Sequence, residues 1–445
     1  MKLLKEGRPR HALQRKLDTE FQGRELMAGR QTAICYIALG VPFLIVIIAF
    51  AGLTKTFPTF HGSDELVYHY PIIIKFAREY PHIDFVNYRS ATSPLFHIAF
   101  MFAGKLMGFE LYKLRILNVL ISYIAVAVLF RLLIFRLNMP VLRALIFSLM
   151  FSLSPYFFGA SFILLTSNLG ILFCLSAVNC FYRFREDASL KYLLLTCLFI
   201  AAALLTRQTF AWLALSFLIY LMIAQMTLAS RIAALAALVI AIMPLLTLVI
   251  LWHGLVPPGF QQKHTTNTLL NLKPAEFMIA LIGLYSLFLR MNSFIALMHD
   301  FNRLHLVALV MGILLILLYP ISWQPRDMGY LWRISSYLPT LGSTGVLFWA
   351  LVPAGMVVIA HQVLSGSDKV LPVVFLVSFL IVMMSSELVY QRYFDPFALL
   401  FIFLLSGRQG SQIGQQAWQA PLEYAGSLAL IIGFMVYPFV SYMMR

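Results

Sequence analysis

The chain has 445 residues, 61% of them hydrophobic and 11% charged, with a mean hydropathy of +0.85. Soluble domains carry about 25% charged residues, so this composition excludes a soluble globular protein and points to one that sits in lipid. The formal net charge of +15 is no nucleic-acid signature, because Lys2, Lys5, Arg8, Arg10, Arg15, Lys16, Arg24 and Arg30 all precede the first apolar run, as in a cytoplasmic tail held against anionic headgroups.

The first apolar run, TAICYIALGVPFLIVIIAFAGL, has the length a helix needs to cross about 30 Å of hydrocarbon. It follows some thirty polar residues and no small-residue cleavage site comes after it, which argues against a removed signal peptide. Residues 1–32 therefore read as a basic tail and 33–445 as a single transmembrane domain. No alternating polar face suggests a barrel strand. Cys35, Cys174, Cys180 and Cys197 fall in or beside apolar runs without metal-site spacing, so packing is expected and a disulfide is not.

Span 1 covers about 33–53 and delivers Asp64-Glu65 to the outer side. The next apolar stretch, PLFHIAFMFAGKLMGF at 94–109, is short and interrupted by Lys105. Were it a crossing, the basic turns at 136–143 and 182–191 would both face outward, against the positive-inside rule. It is therefore read as an interfacial or re-entrant helix inside a long outer loop, about 54–112. Later spans follow at about 113–135, 141–154, 168–182, 190–206, 209–227, 231–251, 275–290, 304–320, 344–362, 370–385, 395–406 and 423–443. The expected architecture is an all-α polytopic bundle of about 13 transmembrane helices with interfacial helices in the first outer loop.

On this reading the outer side collects GSDELVYHYP, LLTRQTFAW, HGLVPPGFQQKHTTN, WQPRDMGYLWR and ELVYQRYFDP. Ionisable groups at a membrane boundary are functional candidates, although a capped, hydrated helix start would also explain Asp64 and Glu65, and snorkelling would explain Arg207 and Arg392. Two arginines with Lys263 and His264 on the side of an acidic pair suit a site that grips a phosphate while a carboxylate handles a proton. That is the chemistry of transfer from a phosphate-activated lipid. Trp323, Trp332 and Tyr393 fit an interface aromatic belt, with sugar stacking as the alternative.

Asp64-Glu65 with His69 and Pro71, then RSATSPLFHIAFMFAGKL, resembles the first luminal loop of GT-C fold glycosyltransferases. Arg207-Gln208-Thr209 with Trp212, and Arg392-Tyr393-Phe394 with Pro396, bring the likeness closest to the dolichyl-phosphate-glucose alpha-1,2-glucosyltransferases. The histidine comes one residue later than in that family, and SATSP stands where consecutive threonines and prolines are the pattern. The resemblance implies a GT-C-like bundle and an inverting hexosyltransferase, with glucose the hexose of the likest group, using a polyprenyl-phosphate sugar donor and a glycan or lipid-linked acceptor. It makes Asp64 and Glu65 the catalytic pair, Asp64 as general base and Glu65 as its neighbour for acceptor binding, as a second proton acceptor or as a metal ligand. Arg207 and Arg392 would hold the donor phosphate with His264 and Lys263, and His69, Gln208 and Tyr393 would meet the acceptor or sugar. No cofactor is expected, a divalent cation being the alternative, and the other partners are membrane lipids and not nucleic acid. The multi-pass chain is placed in a bacterial inner membrane, with the endoplasmic reticulum as alternative and the site on the outer or luminal face. The rival class is a transporter or flippase for a lipid-linked or anionic substrate, which commonly shows repeated halves; none is visible. There is no P-loop or Rossmann fingerprint for a nucleotide donor.

Overall fold

The structure, a computed structural model, describes residues 31–48, 64–264, 271–290, 297, 301–324, 327–365, 370–406 and 419–443. It is an all-α polytopic membrane protein whose helices run, in order, α1 (Gln31–Ile48), α2 (Tyr70–Glu79), α3 (Leu95–Met107), α4 (Leu111–Phe135), α5 (Val141–Leu153), α6 (Pro155–Ser161), α7 (Thr166–Asp187), α8 (Leu190–Thr206) and α9 (Ala211–Ile223). Next come α10 (Leu228–Trp252), α11 (Pro258–His264), α12 (Lys273–Leu289), α13 (Arg303–Leu318) and α14 (Tyr330–Ser336). A two-residue hairpin of β1 (Thr340–Leu341) and β2 (Thr344–Gly345) leads to α15 (Val346–Ser365), α16 (Val370–Met383), α17 (Asp395–Ser406) and α18 (Gln419–Met443).

Among the described residues, four helices are long and apolar enough to cross a membrane by length and composition: α1, α4, α10 and α15. The pair α5 and α6, bent by 66°, makes a fifth if it is one span. The bend falls at Ser154-Pro155, where proline has no N–H to continue the helical ladder and instead starts a new helix at its first position. Shorter apolar helices of 10–17 residues fill the remaining bundle.

Two hydrophobic clusters divide the interior. The larger one runs through the bundle from Leu39 and Phe43 of α1 to Leu430 and Phe434 of α18. The smaller one lies beneath the first loop and joins Ile72, Ile73 and Phe76 of α2 to Phe96, Phe100 and Met101 of α3 and to Trp252 at the end of α10. Packing α2 and α3 on that cluster explains why the 94–109 stretch forms a 13-residue helix outside the main bundle, with Lys105 exposed and its ammonium 3.8 Å from the Tyr80 ring.

Polar contacts sort the loops into two ends. Asp64 meets Arg392, Ser154 meets Asp395, Lys273 meets Asp327 and Gln208 reaches the Leu255 carbonyl at one end. At the other end, Arg136 pairs with Glu186 and Arg290 bonds Gln362 and Ser406. The described parts of the loops read from charge parity as outer thus gather at the end that carries the first loop.

Candidate active site

The site begins where the first loop enters its helix. Residues Glu65–His69 form a π-helical turn, closed by the Tyr70 N–H bonding back to the Glu65 carbonyl. Pro71 follows at once. Its ring cannot sit against the carbonyl of residue 67 in a regular α-helix, and the wider turn relieves that clash. Successive helical positions point about 100° apart, so the adjacent carboxylates of Asp64 and Glu65 diverge.

Glu65 points inward and is fully buried. Its oxygens accept from Arg115 Nε at 3.0 Å and Arg115 Nη2 at 2.5 Å, and Oε1 also accepts from the Leu164 N–H at 2.8 Å. Arg115 heads a buried polar stripe on α4 with Asn118 and Ser122. Asn118 donates to the carbonyls of Ala160 and Ile163, and Asn168 donates to Ser122, so the stripe seats the 160–168 turn. Glu65 is thereby the hub that fastens the first loop to α4 and α7. The sequence reading put Glu65 beside Asp64 at the reacting group; here its carboxylate is buried with its oxygens held by Arg115 and the Leu164 N–H.

Asp64 remains half-buried, facing Arg392, whose Nη1 lies 3.1 Å from Oδ2. Arg392 occupies a 3-10 turn, Gln391–Tyr393, immediately before α17. Its Nη2 donates to the Tyr393 hydroxyl at 3.0 Å, and its guanidinium carbon is 5.0 Å from the centre of that ring. Arg207 approaches the same ring from α8, with 4.4 Å between guanidinium carbon and ring centre. Its backbone is extended at the end of α8, so the chain turns through a single 3-10 turn, Gln208–Phe210, into α9. Gly170 allows that turn to close on α7, because a Cβ there would sit 2.3 Å from the Phe210 ring.

Tyr393 is thus flanked by two cations. Burial pushes its phenol up, but Arg392 and Arg207 outweigh burial and hold it below the usual tyrosine range. Arg207 Nη1 reaches Ser167 Oγ at 3.4 Å, while its Nε is buried without a hydrogen-bond acceptor. A buried guanidinium N–H with no acceptor is costly, and an anion drawn against it would satisfy it. Beside it opens a cavity lined on its polar side by Ser167, Arg207, Thr209, Arg392 and Tyr393, and elsewhere by apolar side chains including Trp212, Phe379 and Phe397. A charged mouth on an apolar wall suits an anion attached to a hydrocarbon chain.

The other sequence candidates divide. Gln208 spends its amide on the Leu255 carbonyl at 3.0 Å, bracing the turn. Trp332 is core, stacked on Phe277 at 4.8 Å with its indole N–H on the Val389 carbonyl. His69 is buried, and its Nδ1 faces His97 Nε2 at 3.0 Å. Burial pushes its pKa down to about 3. The backbones of Lys263 and His264 end α11, which packs near the π turn through Phe260 and Tyr68, with ring centres 5.8 Å apart; their side chains lie outside the described residues.

Sequence reasoning passed over several residues. Arg115 was legible as a cation near the start of a long apolar span. Asp395 is fully buried at the start of α17, accepts from the hydroxyls of Tyr285 and Ser154, and holds the turn that presents Arg392. Only the meeting of three distant segments shows its role. Among the described residues, no group of three His, Cys, Asp or Glu side chains converges.

Residues 92–252 match the family model described as Dolichyl-phosphate-mannose-protein mannosyltransferase, a little over a third of the chain. Comparison with curated protein sequences gave no match. The matched stretch runs from the SATSP segment to the end of α10 and contains Arg115 and Arg207. It supports a membrane glycosyltransferase of the GT-C type that takes its sugar from a polyprenyl phosphate, without singling out the glucosyltransferase group that the sequence resembles.

Proposed function

We propose that the chain transfers a hexose from a polyprenyl-phosphate donor to a glycan or lipid-linked acceptor, with inversion at the sugar carbon. The observation that carries this reading is the convergence of Arg392, Tyr393 and Arg207 on a cavity with polar and apolar sides, with Asp64 paired to Arg392. The donor phosphate lies against the two guanidiniums, whose planar forks match phosphate oxygens, and the first part of the prenyl chain lies along the apolar side.

Asp64 takes the proton of the acceptor hydroxyl as that oxygen forms its bond to the sugar C1. The C1–O bond to phosphate breaks and its electron pair stays on the polyprenyl phosphate, where Arg207 and Arg392 stabilise the growing charge. Glu65 serves as the anchor of the loop that carries Asp64. The reaction is expected to proceed without a cofactor and to persist after chelation of divalent cations. The site end is read as facing the outer or luminal side, with the bacterial inner membrane preferred.

The test is incubation of purified protein in lipid nanodiscs with labelled polyprenyl-phosphate glucose or mannose and a membrane glycolipid extract, followed by mass spectrometry of the products. A mass gain of one hexose on an acceptor, lost in Asp64→Asn, is the expected result. Translocation of the donor across vesicles without any transfer would instead favour a flippase.

A further inference from the structure

The hydrogen bonds to the Tyr393 hydroxyl run in one direction. Arg392 Nη2 lies 3.0 Å from the phenol oxygen, and Arg207 is its second hydrogen-bond partner. A guanidinium carries five N–H donors and no acceptor. The phenol oxygen therefore accepts from the arginines, and its own proton takes no part in either bond. Among the described residues nothing accepts that proton. The hydroxyl also sits where the two cations meet. Arg207, Arg392 and Tyr393 line the same cavity, and the guanidinium carbons lie 4.4 Å and 5.0 Å from the centre of the Tyr393 ring. Arg207 Nε is buried without an acceptor. An anion held by both guanidiniums thus has the phenol O–H as its neighbour.

We propose that Tyr393 is a catalytic residue whose hydroxyl donates a hydrogen bond to the phosphate that leaves the sugar. This rests on the glycosyl-transfer reading of the site. Before transfer the donor phosphate is a diester with one negative charge. As the acceptor oxygen bonds to C1, the bond from C1 to the phosphate oxygen breaks and its electron pair stays on the phosphate. The phosphate departs as a monoester with a second negative charge. The acceptor's proton goes to Asp64, so the total charge is unchanged, and Tyr393 keeps its own proton. A donor fixed in place before the charge appears gains strength as the charge grows, which lowers the barrier more than it tightens donor binding.

The surroundings of the hydroxyl favour this role. The charged groups that act on it are Arg392 from its own turn and Arg207 from the α8–α9 turn. Asp64 meets it only through Arg392, the Tyr390 ring lies 5.6 Å from the Tyr393 ring, and His69, which feels both arginines, is kept neutral by burial. The two cations hold the phenol below the usual tyrosine range, and a more acidic O–H is a better donor to an oxyanion.

The tests use the full chain in lipid nanodiscs. Tyr393→Phe should lower turnover about 10²-fold, the loss expected for one donor to a developing oxyanion, with donor KM within about 3-fold of wild type and an unchanged unfolding temperature. The donating form is the neutral phenol, so wild-type turnover should fall as pH rises through a Tyr393 pKa that lies below the usual value near 10. Tyr393→Phe should lose that alkaline limb, and fluorotyrosine at position 393, a more acidic phenol, should move it to lower pH. Wild-type turnover in Tyr393→Phe, or one alkaline limb shared by all three proteins, overturns the proposal. A binding measurement needs no turnover. Farnesyl phosphate, a monoester, should bind Tyr393→Phe about 10-fold more weakly than wild type, and its methyl diester should lose much less. Equal losses for the two ligands overturn the proposal. Monoester binding that needs the hydroxyl, in a protein that transfers no sugar, sinks the glycosyl-transfer reading and the catalytic role with it. Sugar transfer together with hydroxyl-independent binding sinks only the role of Tyr393.

Discussion

Asp64 and Arg392, 328 residues apart, form an ion pair of 3.1 Å, and Arg392 also lines the cavity. The candidate base and a candidate phosphate-binding cation are therefore each other's partners. Replacing Asp64 by Asn keeps the shape and a hydrogen-bond acceptor for Arg392 but removes the basic carboxylate. Turnover should fall about 10²–10⁴-fold, the range of a lost general base, while donor affinity is kept or improved because a phosphate meets less competition for Arg392. Single-turnover kinetics with labelled donor separates the two effects, and wild-type turnover in the variant would refute the assignment.

Glu65 should behave differently from its neighbour. Removing one member of a buried ion pair leaves the other charge stranded, at about 3–5 kcal/mol. Arg115→Met should therefore lower stability by about that amount, seen in thermal unfolding in detergent. The double variant Glu65→Gln/Arg115→Met should recover part of the loss, since neither charge is then left alone. A catalytic Glu65 would show the reverse pattern, lost activity with an unchanged unfolding temperature.

Arg207 and Arg392 share one aromatic ring, so exchanging either for lysine keeps the charge but loses the planar fork and the stacking on Tyr393. Donor KM should rise about 10- to 100-fold, the loss of one or two charge-assisted hydrogen bonds, with a smaller change in turnover at saturation. Tyr393→Phe removes the hydroxyl contacts to Arg392 and Arg207 but keeps the ring under both guanidiniums, and should cost less in donor KM than either arginine change. Equal donor KM in all three variants would place the donor elsewhere.

His69 gives the protein a defined acid sensitivity. Its folded-state pKa is depressed by burial to about 3, below the value near 6.5 expected when unfolded. The unfolded chain therefore binds a proton that the folded one refuses as pH falls below about 6.5. The stability contribution is complete above that pH and declines progressively toward pH 3. His97, pushed down mainly by burial, acts in the same direction. Unfolding temperatures should drop between pH 7 and 5, and His69→Gln should flatten part of that drop. An unchanged slope in the variant would contradict the buried neutral state.

The contact of α12 with α15 depends on two glycines. A Cβ at Gly283 would lie 2.5 Å from the Leu351 carbonyl oxygen and 3.0 Å from the Gly355 nitrogen. Both are backbone atoms that cannot rotate away, and small residues are what allow membrane helices to approach so closely. Gly283→Val should destabilise by about 1–3 kcal/mol, measured by unfolding in detergent, whereas a change at Gly433, which faces open space, should have little effect.

The sequence by itself determined the class of the protein and much of its layout. Apolar runs must be helices in lipid because every backbone polar group needs a partner there, and the placing of basic turns sorted the loops into two groups. The shortness of the 94–109 helix was legible from its length and from Lys105. The pairing of Asp64 with Arg392, and the placing of Arg207 against Tyr393, needed the tertiary structure, because such contacts join segments hundreds of residues apart and leave no local pattern. The fate of Asp64 and Glu65 is the sharpest case. Adjacent in sequence and alike in chemistry, they point in different directions at the start of the π turn, one carboxylate into the buried guanidinium of Arg115 and the other against Arg392. Burial and partner, properties of the fold, made one an anchor and left the other available for a proton.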